Sequence, residues 1–302
     1  MIVCVSPNPS IDKLFAVERL APGAIHRPVS FVRVPGGKGL NVARSAATLG
    51  AEVRAVALLG GQHGRWIADE LEALGLPLTS VWYEGETRSC VSVADGATES
   101  LTEFYEDAPQ VDTTVWTEFA ERVREAAGGA AWLTVSGSLP RGAPADGYAQ
   151  LIQGECVAVD TTQLGAARPV LVKVNAAEAE EITGQPVETR ESMLAAAREL
   201  RERIGGAGKA AVVTQGRDGA LLVDPDGREW QGQLDSSGPY PVGSGDAFLA
   251  GLVVSLERGA SWPDALQTAL GAGAANAELP GAGRLERQRA EVLADRTRVS
   301  LA

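Results

Sequence analysis

Two short stretches place glycines directly before a helix-like run, beside side chains that can bind a ligand or move a proton. In Pro35-Gly36-Gly37-Lys38-Gly39-Leu40-Asn41, three glycines in four residues let a ligand approach the backbone closely. The run that follows offers free N–H groups and the positive end of a helix dipole, Lys38 adds a cation and Asn41 an amide. This is not a Walker loop, because no Gly-Lys-Ser/Thr follows at the required spacing. The second stretch is Gly243-Ser244-Gly245-Asp246-Ala247-Phe248-Leu249-Ala250-Gly251. Asp246 there is either a helix-capping acid or a general base beside an anion held on the N–H groups of Gly243, Ser244 and Gly245. Asn175-Ala176-Ala177-Glu178 has the spacing of a capping box. Thr214-Gln215-Gly216-Arg217-Asp218-Gly219-Ala220 reads as a strand running into a glycine turn. The two histidines, His26 and His63, belong to none of these stretches, so carboxylates are the available bases.

The elements that must position these residues alternate along the chain. Apolar strands are expected at 2–5, 53–60, 131–137, 156–160, 169–175 and 210–216. Helices are expected at 40–49, 66–74, 116–127, 192–204, 246–258 and 262–277, several closed by glycine. Strands apolar on both faces, alternating with helices, indicate a mostly parallel sheet covered on both sides. Two excursions break the rhythm, at about 12–35 and 80–107. Their alternating segments, such as 30–34, 89–94 and 99–105, suggest half-exposed antiparallel strands that pair into a small β-sheet lid. The expected organisation is one α/β domain over 1–302 with an inserted lid.

Composition narrows the function classes. With 45% hydrophobic and 22% charged residues over 302 positions, the chain is an ordinary globular sequence. Acidic residues outnumber basic ones, 39 to 27, for a net charge of −12. That surface repels phosphate backbones and argues against nucleic-acid binding. An anionic substrate therefore requires a local basic pocket. No apolar run is long enough for a membrane span, and the start MIVCVSPNPSID lacks a signal-peptide pattern. Cys4, Cys90 and Cys156 lack metal-ligand spacing and read as small buried hydrophobes of a reducing, cytoplasmic compartment.

Taken together and in order, the four stretches resemble the signatures of the PfkB, or ribokinase-like, family of sugar kinases. Gly36-Gly37-Lys38-Gly39-x-Asn41-x-Ala43-Arg44 resembles the N-terminal signature, and Gly243 to Gly251 the C-terminal GAGD signature. Within the family, Ser6-Pro7-Asn8-Pro9-Ser10-Ile11-Asp12 resembles the opening of the 1-phosphofructokinase and tagatose-6-phosphate kinase branch. Gly60-Gly61, Thr87-Arg88, Ser136 to Gly142 and Asp160-Thr161-Thr162 fit the same branch. The resemblance implies a ribokinase-like fold with a β lid, ATP and Mg²⁺ as cofactors, and a homodimer formed through the lids. It implies Asp246 as catalytic base with Gly243, Ser244 and Gly245 as anion hole. It places the sugar phosphate on Asp12, Gly37, Lys38, Asn41, Arg88, Arg27 and Ser136. Asn175, Thr214, Gly216 and Gly219 would contact the nucleotide, and Glu178 would organise the metal through water.

The chain departs from the branch at three places: Lys173-Val174-Asn175 replaces KPN, Tyr105 replaces an Asn, and Ser236 to Gly243 carries Pro239 and Pro241. These bear on the sugar and on nucleotide handling and leave Asp246 untouched. The implied activity is phosphorylation of fructose 1-phosphate, fructose 6-phosphate or tagatose 6-phosphate. The alternatives are a kinase of an unphosphorylated sugar or nucleoside, and a non-catalytic binding homologue. Basic groups converging beside Asp12 would mark the first, apolar or aromatic ones the nucleoside kinase.

Overall fold

The computed structural model describes residues 1–152, 154–236 and 238–302; residue 237, in the segment with the two prolines, lies outside them. In chain order the elements are β1 (Ile2–Ser6), β2 (Ser10–Val17), β3 (Ser30–Gly36), α1 (Lys38–Thr48), β4 (Val53–Gly60), α2 (Gly61–Ala73), β5 (Leu78–Tyr83), β6 (Ser89–Asp95), β7 (Ser100–Tyr105), α3 (Thr113–Ala127), β8 (Trp132–Ser136) and α4 (Gly147–Leu151). There follow β9 (Val157–Asp160), β10 (Leu171–Asn175), α5 (Ala176–Thr183), α6 (Arg190–Arg203), β11 (Ala210–Thr214), β12 (Ala220–Val223), β13 (Glu229–Gln233), α7 (Ser244–Glu257), α8 (Trp262–Ala277), α9 (Arg287–Asp295) and β14 (Arg298–Leu301).

The main sheet has ten strands in the order β14-β13-β12-β11-β10-β9-β8-β1-β4-β5. It is parallel from β5 to β11, and β12, β13 and β14 extend it antiparallel. Its central strands are buried on both faces, which the run Ile2-Val3-Cys4-Val5 illustrates. Ile2 and Cys4 join one core with Leu40 of α1, Phe248 of α7 and Leu266 of α8. Val3 and Val5 join the other with Phe119 of α3, Tyr148 of α4 and Leu200 of α6.

The second sheet is β3-β2-β6-β7. Its outer pairs are antiparallel, but the central pair β2–β6 is parallel, contrary to the all-antiparallel expectation. The reason lies in the main sheet. β1 and β5 point the same way, so the chains leaving their ends into β2 and β6 also run alike. Strand β5 itself pairs with β4, so the lid of the second excursion begins at Ser89, not at 80. Arg33 on lid strand β3 lies over the Trp66 ring of α2, 4.0 Å from its centroid, and ties lid to body.

Smaller differences have local causes. Helix α1 starts at Lys38 because Gly37, at φ 87°, turns the chain two residues before the expected start. Strand β11 stops at Thr214 because Gly216 already has positive φ. Cys156 precedes its strand and is exposed, whereas Cys4 and Cys90 are buried as expected. The charged α9, strand β13 and the edge strand β14 carry little apolar periodicity and are not apparent from sequence.

Helix α1 lies against β1 with backbone on backbone. A Cβ on Gly39 would stand 2.7 Å from Ser6 Cα and closer still to the Val5 carbonyl. Gly39→Ala should therefore cost roughly 1–3 kcal/mol through overpacking. Urea unfolding measures this, and an unchanged midpoint would show that α1 can withdraw from the strand.

Candidate active site

A cavity of about 690 Å³ opens where the C-terminal ends of β1, β8, β9 and β10 meet the first turns of α1 and α7, under the lid. The chain order of the sheet reverses beside β1, the position at which open α/β sheets bind ligands.

Asp246 stands in the first turn of α7 and is 6% exposed. Gly243, at φ 82°, is the residue before that helix, a left-handed conformation that favours glycine. The first intrahelical bond runs from Ala247 N to Gly243 O, 2.9 Å, so the Gly245 and Asp246 N–H groups have no backbone acceptor. The Ser244 N–H, in contrast, is bonded to Pro241 O at 3.1 Å. Asn41 of α1 donates from Nδ2 to Asp246 Oδ2 at 2.8 Å. Burial, and then the charge of Asp160, push the Asp246 carboxyl up to about 7, against the opposing pull of Lys38, Lys173 and the Asn41 amide.

Behind Asp246 runs a chain of ion pairs. Lys38 Nζ lies 2.5 Å from Glu178 Oε1 and 2.6 Å from Asp160 Oδ1, and Asp160 Oδ2 lies 2.6 Å from Lys173 Nζ. Burial opposes the charge of Asp160, but Lys173 and Lys38 outweigh it and hold its pKa below the ordinary carboxylate value. Burial likewise opposes the Lys38 ammonium, and Asp160 and Glu178 more than reverse that, raising its pKa. Glu178 also closes a capping box: its Oε2 accepts from Asn175 N at 2.9 Å, while Asn175 Oδ1 accepts from Glu178 N. Lys173 Nζ reaches under the start of α7, 2.7 Å from where a Cβ on Gly245 would be.

The lid end of the cavity is built on Asp12. Ser10 Oγ donates to its Oδ1 at 2.6 Å, and only a glycine at 36 leaves room for the carboxyl. Burial raises the Asp12 pKa, opposed by Ser10 and by the cations Arg44 and Arg88. Arg88 makes only long contacts, 3.4 Å to Glu106 O and 3.4 Å to Asn8 O, and its buried Nε has no partner. Lys13 donates to Ser89 Oγ at 2.9 Å. Tyr105 donates to Glu103 Oε1 at 2.6 Å, and both side chains line this end.

Of the residues singled out from sequence, Asp12, Gly37, Lys38, Asn41, Arg88, Asn175, Glu178, Gly243, Gly245 and Asp246 all line this cavity. Five others and Ser244 do not. Arg27 is exposed in the β2–β3 connection. The near end of that hairpin pairs Asp12 with Val34, and residues 18–29 lie beyond its far end. Ser136 is buried beneath the cavity floor, where Gly137 and Ser138 line instead. Thr214 pairs with Asn175 one strand further out, and Gly216 and Gly219 belong to the turn after it. Sequence reasoning did not single out Lys13 or the pairing of Lys173 with Asp160. A lysine inside the apolar run Leu171-Val172-Lys173-Val174 and an acid ending Val157-Ala158-Val159-Asp160 were the available signals.

The family model for pfkB family carbohydrate kinases matches residues 3–288. The chain belongs to that family. This pfkB-family protein is therefore a sugar kinase, and membership implies ATP as phosphoryl donor and, as a rule, Mg²⁺. It is 34% identical over 277 residues to a 1-phosphofructokinase of Haloferax volcanii, covering 88% of each chain. It is 27% identical to Escherichia coli phosphofructokinase-2, solved in complex with substrates and products, with a TM-score of 0.88 over 97% of this chain and 98% of that one. An Arabidopsis thaliana ribokinase at 21% identity shares the fold, with a TM-score of 0.74 over 97% and 98% of the two chains. The ribokinase-like α/β fold expected from sequence is thus the fold of this kinase. No helix among the described residues is long and apolar enough to cross a membrane.

The donor set suits a metal that arrives with a nucleotide. Glu178, Glu181 and Asn175 line the cavity on one side, and Mg²⁺ takes few protein oxygens. Among the described residues no three His, Cys, Asp or Glu gather into a closed metal cage.

Lys173 and Asp160 are 3% and 0% exposed, so removing one charge strands the other away from water. Asp160→Asn should cost roughly 3–5 kcal/mol. A variant as stable as the parent in chemical denaturation would show that Lys173 finds another partner.

Proposed function

We propose that this kinase transfers the γ-phosphoryl group of ATP to a hydroxyl of a phosphorylated ketohexose, as the name of its Haloferax relative suggests. One observation carries the substrate class. Four cations line the cavity: Lys13, Lys38, Arg88 and Lys173. Lys38 and Lys173 are neutralised by Asp160 and Glu178. Among the described residues Lys13 and Arg88 have no carboxylate within ion-pair distance, and both stand at the Asp12 end. Against a net charge of −12, an unspent guanidinium with an orphaned Nε is what a dianionic sugar phosphate requires.

In this reading Asp12 holds sugar hydroxyls and Asp246 accepts the proton of the attacking hydroxyl as its oxygen bonds to the γ-phosphorus and ADP departs. The free N–H groups of Gly245 and Asp246, with Lys173 beneath them, face the charge on the transferring group. Mg²⁺, when bound, neutralises nucleotide phosphate charge, and Glu178 and Asn175 are the residues that would hold it. Asp246→Asn should keep the fold and lose roughly 10²–10⁴-fold in rate. Because the base acts unprotonated, kcat/KM should fall as pH drops through about 7. The exposed lid residues Phe31 and Phe104 are where we place the contact of a homodimer.

The deciding experiment is ATP turnover with fructose 1-phosphate, fructose 6-phosphate, tagatose 6-phosphate, fructose, ribose and adenosine. A phosphorylated ketohexose should be preferred, and Arg88→Ala should raise its KM roughly 10- to 150-fold. Preference for an unphosphorylated sugar, or an equal Arg88→Ala effect on both kinds, would retire the phosphosugar assignment and keep the kinase.

A further inference from the structure

Arg44 of α1 is buried to 7% exposure, yet it forms no ion pair among the described residues. Its Nη2 donates to Asn41 Oδ1 at 2.7 Å and to Ala282 O at 2.6 Å, while its Nε is buried without a partner. A guanidinium only donates, so the face of the Asn41 amide turned to Arg44 must be its oxygen. The amide nitrogen is thereby turned to Asp246, where it donates to Oδ2 at 2.8 Å.

We infer that Arg44 is a positioning residue for the base: by fixing the orientation of the Asn41 amide, it keeps an N–H on Asp246 and so keeps Asp246 an unprotonated acceptor. This rests on the assignment of Asp246 as base in the proposed function. With Arg44 gone, Asn41 is free to turn over. Its oxygen would then meet a carboxylate oxygen, an arrangement only a protonated Asp246 tolerates. The second bond extends the effect. Ala282 belongs to the turn Pro280-Gly281-Ala282-Gly283, and a Cβ on Gly243 would stand 2.5 Å from Gly283 N and 2.7 Å from Ala282 Cα. One guanidinium nitrogen thus anchors both the amide on the base and the turn that backs the Gly243 end of α7.

Other charges act on the same carboxyl. Asp160 of β9 disfavours its ionisation, while Lys38 of α1 and Lys173 of β10 favour it. Arg44 itself faces Asp12 of β2 and Arg284, and its own charge also favours ionised Asp246. A field effect and an amide effect therefore push in the same direction, and the test has to separate them.

The test is the pH dependence of kcat/KM for the wild type, Arg44→Met, Asn41→Ala and the double variant, each checked for folding by its thermal transition. Losing one hydrogen bond to a charged group should move the acid limb upward by roughly 1–2 pH units in Arg44→Met. Asn41→Ala should move it in the same direction, and the double variant should move it little beyond Asn41→Ala alone. An unmoved limb in either single variant overturns the inference. So does a double variant in which the two shifts add in full, because Arg44 would then act through its field and not through the amide. If Arg44→Met does not fold, Arg44→Leu, which likewise offers Asn41 Oδ1 no donor, takes its place in the same cycle. An inactive Asp246→Asn with an unmoved Arg44 limb overturns only the role of Arg44. A fully active Asp246→Asn overturns the base assignment as well.

Discussion

Asp160 carries a full negative charge with none of its side-chain surface in water. An isolated carboxylate in that position would be too costly to keep ionised, by several kcal/mol even after relaxation. It is ionised because lysines meet both of its oxygens, Lys173 from the next strand and Lys38 from the first turn of α1. The rest of the site follows from that constraint. Lys173 is fixed beneath the start of α7, Lys38 is spanned between Asp160 and Glu178, and the field of Asp160 helps hold Asp246 near neutrality. A base poised there accepts a proton readily without being permanently spent as a solvated carboxylate.

The same constraint explains how an acidic molecule handles anions. The chain carries a net charge of −12, yet the cavity gathers Lys13, Lys38, Arg88 and Lys173 in one place, among carboxylates of its own. Lys38 and Lys173 are paired with carboxylates under α7, whereas Lys13 and Arg88, at the end that Asp12 and Glu103 also line, have none within ion-pair distance among the described residues. Direction is added by backbone. The first turns of α1 and α7 converge there because Gly37 and Gly243 allow the chain to enter each helix at positive φ.

The lid owes its position to the main sheet. β2 and β6 continue outward from parallel strands β1 and β5 and pair in parallel, which sets Asp12 opposite Cys90 and brings Arg88 to the base of the same sheet. The tip of the first hairpin is carried away from the site by that geometry, and Arg27 goes with it. The Arg33–Trp66 contact holds the near end against α2.

The sequence alone was sufficient for the architecture and for much of the site. Strands buried on both faces must be apolar throughout, and helices must be periodic, so alternation of the two is written locally. The two glycine-opened helix starts were legible because in each the glycines lie within a few residues of the polar side chain, Asn41 or Asp246, whereas Asp12 was singled out through the resemblance of Ser6 to Asp12 to a branch opening. Lys173, Asp160 and Lys13 were not legible as a group, because each stands in a strand whose neighbours are set by sheet order and not by spacing. Which cations are spent on carboxylates, and which remain for a ligand, is likewise absent from composition. Nor did sequence show that Asn175 lines the cavity while Thr214, Gly216 and Gly219 stand one strand further out. Burial and pairing of charge depend on residues more than a hundred positions apart, as Lys38 and Asp160 are, and only the folded chain brings them together.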